Sequence, residues 1–314
     1  MSAPELTLVI PVFNEEAVIP ELRRRLVEFL GRVGASWEVV FVDDGSRDQS
    51  RALLEQLCRE DERFGLVALS RNFGHQVAIT AGVDYARGDA VVIMDADLQD
   101  PPEVVGQMLD KHREGFDVVY GVRSAREGEG WFKRSTAALF YRLLRGILGV
   151  PIPVDAGDFR LISRRVVVAL RSLQEANRFV RWLVAWVGFR QTAVRYERPA
   201  RFAGETHYPL RKMLKFALDG ITSFSTLPLR IATWLGVGSG VLGILVAGWA
   251  IYAKLMTQAA VPGWATLMAL VSLASSAQLM MLGILGEYIG RIYDEVKRRP
   301  LYVVQDEINT ERQP

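Results

Sequence analysis

Over the first 125 or so residues, short runs of Val, Ile and Leu alternate with longer amphipathic stretches. The runs are LTLVIPV, WEVVFVDD, FGLVALS, AVVIMDAD and FDVVYGV, and segments such as PELRRRLVEFLGRV and QSRALLEQLCRE lie between them. A short, continuous apolar run rich in β-branched residues marks a strand buried on both faces, and strands alternating with helical patterns build βα units around a parallel sheet. The pattern predicts an α/β fold with a mainly parallel sheet. The C-terminal third reads differently: Ile231 to Tyr252 and Trp264 to Gly286 carry no charge. Each is long enough to cross ~30 Å of hydrocarbon at ~1.5 Å per residue, which predicts two transmembrane helices.

The charges around these spans give them a direction. Arg211, Lys212, Lys215 and Arg230 precede the first span and Arg291, Lys297, Arg298 and Arg299 follow the second, whereas the connection between them offers only Lys254. Positive charge stays on the cytoplasmic side, so both termini are expected there. Ahead of the spans, Leu210, Met213, Leu214, Ala217, Leu218, Ile221 and Phe224 fall on one helical face with the basic residues beside it, the pattern of an amphipathic helix lying in the membrane interface. The expected organisation is a cytoplasmic α/β domain over 1–208, an interfacial helix over 209–229, two transmembrane helices over 230–290 and a cytoplasmic tail over 291–314. The stretch WFKRSTAALFYRLLRGILG offers either a second membrane-facing surface or a helix packed on the sheet.

Composition narrows the class further. Hydrophobic residues make up 50% of the chain, charged residues 24%, and the net charge is only +2, so neither a disordered chain nor a broad nucleic-acid-binding surface is expected. The lone cysteine, Cys58, excludes an internal disulfide. The opening MSAPELTLVIPVFNEE lacks a basic region and a cleavable apolar segment and reads as a first strand rather than a signal peptide.

The chemistry gathers where the apolar runs stop. In open parallel sheets ligands bind beyond the carboxyl ends of the strands, and those ends carry Asn14 and Glu15, Asp43 and Asp44, Arg71 and Asn72, Asp95 and Asp97, and Arg123. A dinucleotide site would want Gly-x-Gly-x-x-Gly after the first strand, where PVFNEE stands instead, and no Gly-x-x-x-x-Gly-Lys-Ser/Thr loop occurs anywhere. A phospho-receiver domain, suggested by the pair Asp43-Asp44, would carry its acidic pair on the first strand. In VVIMDADLQDPPE, Asp95 and Asp97 can converge on one hard cation with the amide oxygen of Gln99 as a further ligand. Oxygen ligands suit Mg²⁺ or Mn²⁺, which keep open positions for water and substrate phosphates. The cluster therefore points to a diphosphate substrate.

These stretches together resemble the family 2 glycosyltransferases of GT-A fold, in particular the polyisoprenyl-phosphate hexose transferases that include bactoprenol glucosyltransferases and dolichol-phosphate mannose synthases. The matching segments are VIPVFNEE, VFVDDGSRD, LSRNFGHQVAITAGVDYARGDAVVIMDADLQDPPE, the Gly-Val-Arg-Ser at 121 to 124, VDAGDFRLISR and GETHYPLRKMLKFALDGI. The resemblance implies that Pro11, Phe13, Glu15 and Asp43, with Asp44 and Ala96 beside them, line the donor nucleotide, and that Asp95, Asp97 and Gln99 hold the metal on its diphosphate. It places Arg201 and His207 on the donor phosphates and Arg123 and Arg134 on the acceptor phosphate. His207 departs from the family, which usually has lysine there. Asp97, Asp158 and Arg123 would be the residues nearest the reaction, Asp158 as a positioning group or base, or else as a structural partner to Arg160.

The implied activity is inverting transfer of one hexose, glucose from UDP-glucose, to undecaprenyl phosphate at the cytoplasmic face of a bacterial inner membrane. GDP-mannose and UDP-linked amino sugars are the alternative donors, and a homo-oligomer, a tetramer by resemblance, is implied. A lipid phosphate is already largely anionic near neutral pH, with a second pKa of about 6, so no strong general base is needed. Two other readings fit less well. A non-catalytic scaffold or lipid-translocation partner would want more spans and polar groups facing one another within them. A processive polysaccharide synthase would want Gln-x-x-Arg-Trp, which RFVRW at 178–182 only echoes.

Overall fold

The computed structural model describes residues 3–123, 156–173, 175–176, 178–197, 227–256 and 263–312. All five apolar runs are strands: β1 (Leu6–Val12), β2 (Trp37–Asp43), β3 (Phe64–Leu69), β4 (Ala90–Ile93) and β5 (Val118–Arg123). Three further strands, β6 (Ala156–Ser163), β7 (Gln191–Tyr196) and β8 (Val304–Ile308), complete one eight-stranded sheet in the order β7-β5-β6-β4-β1-β2-β3-β8. β1 pairs in parallel with both β2 and β4, β2 with β3, and β5 with β7. β6 and β8 run antiparallel to their neighbours.

Helices cover both faces of the sheet. On one side are α1 (Ile19–Leu30), α2 (Ser50–Glu60) and α4 (Val104–Arg113), and on the other α3 (His75–Tyr85), α5 (Arg164–Ser172) and α6 (Val180–Trp186). α1 shows why such segments dock. Pro20 is pre-shaped for the first helical turn, and Ile19, Leu22, Leu26 and Leu30 recur on one face and are buried. α3 lies close against the sheet, since a Cβ on Gly82 would stand 2.2 Å from a methyl of Val9. Only glycine permits that approach, and it fixes the height at which the start of α3 meets the sheet edge.

Two features set up what happens at that edge. Strand order runs outward from β1 in both directions, through β2 and β3 on one side and β4 on the other, so the gap between the carboxyl ends of β1 and β4 is a topological switch point, where open α/β sheets hold ligands. β6, inserted antiparallel between β4 and β5, brings its beginning rather than its end to the same edge. Its Arg160 stands in register with Ile93 of β4 and Tyr120 of β5.

A second compact unit contains α7 (Leu227–Met256) and α8 (Gly263–Val296). Within them Pro228–Ala253 and Leu270–Val296 are long and apolar enough to cross a membrane. Their apolar side chains are not core residues of a soluble fold, since Trp234 is 73% and Ile244 74% exposed. Of the residues expected in the C-terminal tail, α8 takes those up to Val296, and residues 299–312 group with the first unit. There β8 pairs with β3, Tyr302 Oη donates to Asp84 at 2.8 Å, and Arg51 reaches Asp306. Residues 209–226 of the expected interfacial helix lie outside the described residues, and 227–229 already belong to α7.

Candidate active site

A cavity of about 300 Å³ opens at the switch point, lined by Pro11, Val12, Phe13 and Glu15 after β1, Asp44 after β2, Asn72, Gly74, His75 and Ala78 around the start of α3, and Asp95, Ala96 and Asp97 after β4. Six of the expected donor-site residues, Pro11, Phe13, Glu15, Asp44, Asp95 and Ala96, therefore share one cavity with Asp97, expected as a metal ligand. The loop after β1 is tied to the loop after β2, with Glu15 N–H donating to Ser50 at 2.8 Å and Asn14 N–H to Ser46 at 3.0 Å.

Adjacent residues at a strand end point to opposite sides, and the aspartate pair splits accordingly. Asp43 accepts the N–H of Ser46 at 3.1 Å and is not among the cavity-lining residues. Asp44 lines the cavity while accepting the N–H groups of Phe73 at 2.7 Å and Gly74 at 2.9 Å. Burial pushes both carboxyls above the usual range. By gripping the turn at Gly74, whose φ of 103° strongly favours glycine, Asp44 sets where α3 begins and hence where its first residue, His75, stands.

His75 links the two halves of the site. Its Nε2 is 3.5 Å from Asp95 Oδ1 and 3.5 Å from Asp158 Oδ2. Burial disfavours the charged imidazole, but the hydrogen bond to Asp158 and the charges of Asp95, Asp158 and Asp44 outweigh it and raise the pKa. Asp158 comes to this place from the start of β6. It is also approached by Gln76 Nε2 at 3.2 Å, Arg181 at 3.4 Å and Arg160 at 3.6 Å. Burial alone would raise its pKa; the His75 hydrogen bond, then Arg181 and Arg160, hold it well below the ordinary carboxylate range. A carboxylate held that low is a poor proton acceptor, so the surroundings of Asp158 favour positioning over base chemistry.

The turn after β4 sorts its carboxylates. Asp97 Oδ1 accepts the N–H of Gln99 at 3.1 Å, Leu98 takes a left-handed φ of 60°, and Gln99 is buried. Asp95 faces His75 Nε2 at 3.5 Å, but its Oδ1 is buried without a hydrogen-bond partner, and burial first, then the charges of Asp100, Asp158 and Asp97, opposed by His75, push its carboxyl up to about 6. A buried acceptor left open beside like charges is what a hard cation would satisfy. Among the described residues no three histidine, cysteine or carboxylate side chains form a ready cage. The set thus fits a metal that takes its remaining ligands from substrate and water.

Arg123 ends β5, in register with Tyr196 of β7. Its guanidinium lies over Gly157, where a Cβ would stand 2.9 Å from it, and its Nε is buried without a hydrogen-bond partner. Arg134, Arg201 and His207 lie outside the described residues. Sequence reasoning assigned no role to His75, Gln76, Asp100, Arg181 or Tyr196. His75 and Gln76 stand inside LSRNFGHQ and Arg181 inside RFVRW, so the signal present was their placement in segments already singled out for other reasons.

Similarity to known proteins extends over most of the chain. Residues 7–171 match Glycosyl transferase family 2, and residues 227–292 match the GtrB C-terminal hairpin. The chain is 51% identical over 301 residues to an uncharacterized glycosyltransferase, YkcC, of Bacillus subtilis, covering 96% of this chain and 93% of that one. It is 40% identical over 301 residues to the SfII prophage-derived bactoprenol glucosyl transferase of Shigella flexneri, covering 96% and 97%. Among solved structures, glucosyl-3-phosphoglycerate synthase of Mycobacterium tuberculosis with phosphoglyceric acid aligns at a TM-score of 0.46 and 19% identity, covering 71% and 79%.

Proposed function

The chain belongs to glycosyl transferase family 2 with a GT-A-type α/β fold, and from that premise we propose that it transfers a hexose from a nucleotide sugar to a polyprenyl phosphate, with UDP-glucose and undecaprenyl phosphate as the substrates. The observation that carries the reading is the cavity at the β1/β4 switch point, where Asp95 presents a buried oxygen with no hydrogen-bond partner beside Asp97. The similarity to the Shigella bactoprenol glucosyl transferase over nearly the whole of both chains supports the lipid acceptor and the glucose.

In this reading Pro11, Phe13, Glu15, Asp44 and Ala96 hold the donor nucleotide, and Asp95, Asp97 and Gln99 hold Mg²⁺ or Mn²⁺. The bound metal would neutralise charge on the donor diphosphate. Arg201 and His207 assist on the donor phosphates, and Arg123 and Arg134 receive the acceptor phosphate. A phosphate oxygen of the lipid forms a bond to C1 of the sugar as the bond from C1 to the diphosphate oxygen breaks, and the electron pair leaves with the nucleoside diphosphate. A single displacement of this kind inverts C1. Asp158, ionised throughout, holds His75 and Arg181 in place beside that path.

The same topology supports a membrane-embedded hairpin. β8, which follows α8, pairs with β3, so strands on both sides of the two helices in the sequence belong to one sheet, which favours an even number of crossings. The basic residues before α7 and after α8 support a cytoplasmic position for that sheet. The test is to offer membranes containing the protein labelled UDP-glucose, UDP-N-acetylglucosamine and GDP-mannose with undecaprenyl phosphate and extract the lipid. Label in the lipid from UDP-glucose is expected, label from another donor reassigns the sugar, and label in no lipid refutes the enzyme reading.

A further inference from the structure

The turn after β4 holds carboxylates at Asp95, Asp97 and Asp100, and DADLQD by itself gives Asp100 no role. Their surroundings differ. Asp100 is 1% exposed, its Oδ1 accepts the hydroxyl of Tyr196 at 2.7 Å, and its Oδ2 faces the N–H of Asp95 at 3.4 Å. Tyr196 is the last residue of β7, 96 positions away in the chain. Its ring is held edge-on by Phe159 of β6, with centroids 5.4 Å apart at 83°, and Arg123 is its register partner on β5.

We infer that Tyr196 is a positioning residue for the metal-holding turn: its hydroxyl fixes Asp100, whose other oxygen faces the Asp95 N–H, so that the segment carrying Asp95 and Asp97 is anchored to β7. The inference rests on the metal reading proposed above and adds the residue that anchors the turn. A buried carboxylate without a donor either swings toward the nearest cation or repels its neighbours. In this turn both outcomes disturb Asp95 and Asp97. Asp100 also anchors the first residue of the turn through the Asp95 N–H, so loss of the Tyr196 hydroxyl loosens the carboxylate that ties together the segment in which Leu98 is held at a φ of 60°. If Tyr196 merely filled the core, its ring would matter and its hydroxyl would not.

Tyr196→Phe keeps the ring and removes only the hydroxyl, and Phe159→Leu weakens the ring contact while keeping the hydroxyl. Mn²⁺ binding to the purified full-length protein, measured with UDP present by the electron paramagnetic resonance of free Mn²⁺, separates them. The expected result is Mn²⁺ affinity about tenfold weaker in Tyr196→Phe and close to wild type in Phe159→Leu, in line with other hydrogen bonds that support metal ligands. Transfer by Tyr196→Phe should return toward the wild-type kcat as Mn²⁺ is raised. Unchanged affinity in Tyr196→Phe, an equal loss in Phe159→Leu, or a kcat loss that saturating Mn²⁺ does not repair each overturns the assignment. A wild-type protein that binds no Mn²⁺ brings down the metal reading with it, whereas wild-type binding with an unaffected Tyr196→Phe brings down Tyr196 alone.

Discussion

Replacing Asp158 with asparagine tests whether this residue positions charge or moves protons. The side chain is nearly isosteric, so no volume is lost, but the charge shared by His75, Arg181 and Arg160 disappears. Arg160 bears the consequence, because its side chain is 1% exposed and cannot turn to water. Removing one partner of a buried pair costs about 3–5 kcal/mol. The lower end applies, since Arg160 also donates to the carbonyls of Gly157 at 2.7 Å and Asp158 at 3.2 Å and asparagine retains an acceptor oxygen. A loss of about 3 kcal/mol in a unit of this size lowers the melting temperature by roughly 6–12 °C. The pH dependence is the sharper readout. The folded-state pKa of Asp158 is depressed, so its contribution is complete above the unfolded value of about 3.9 and is lost only as pH falls toward the folded one. Thermal unfolding of wild type and Asp158→Asn in detergent, followed by near-ultraviolet circular dichroism, should show a gap that is largest at about pH 5 to 6, narrows as pH rises through the folded pKa of His75, which Asp158 helps to raise above about 6.5, and closes on the acid side only in stronger acid. A gap below about 2 °C, or one that closes as pH falls from about 7 to 5, refutes the reasoning and returns Asp158 to the role of a titrating base.

Asp97→Ala should reduce transfer at least about a hundredfold while the protein still folds and inserts, and Asp95→Ala and Gln99→Ala should weaken it less; near-normal turnover of purified Asp97→Ala at low Mg²⁺ or Mn²⁺ would contradict this. Tyr302→Phe removes the buried donor to Asp84, leaving that carboxylate the Arg312 guanidinium at 3.5 Å and the nearby charges of Arg171 and Arg178, and should cost about 1.5–3 kcal/mol of stability. The melting temperature should fall and β8 should become more open to proteolysis, with no change in metal requirement. An unchanged melt would mean that β8 is held by its ladder with β3 alone.

The reach of sequence reasoning follows from what each element needs to form. β1 to β5 are buried on both faces and are spelled as unbroken apolar runs, so their existence and the polar edge beyond them were legible. β6 is an equally buried strand, but its DFRLIS includes Asp158 and Arg160, and Arg160 is buried only because carbonyls and a carboxylate surround it. Such a strand has no apolar signature. β8 reads VQDEI and exposes three of its five residues, so it looks like a tail until β3 supplies its partner.

The site divides in the same way. Its carboxylates lay at strand ends and could be found there, whereas their roles depend on neighbours that arrive from elsewhere in the chain. Period-two alternation says that Asp43 and Asp44 point to opposite sides and leaves open which side holds the cavity; the N–H groups of Phe73 and Gly74 decide it. The spacing in DADLQD points to Asp95 and Asp97 and gives Asp100 no role, and the hydroxyl of Tyr196 shows how Asp100 is held. Each such decision is made by one or two hydrogen bonds across 29 to 96 residues of chain, contacts created by strand order. In a site assembled at a sheet edge, the kind of chemistry is written locally in the strand ends, and the assignment of each group is written in the topology.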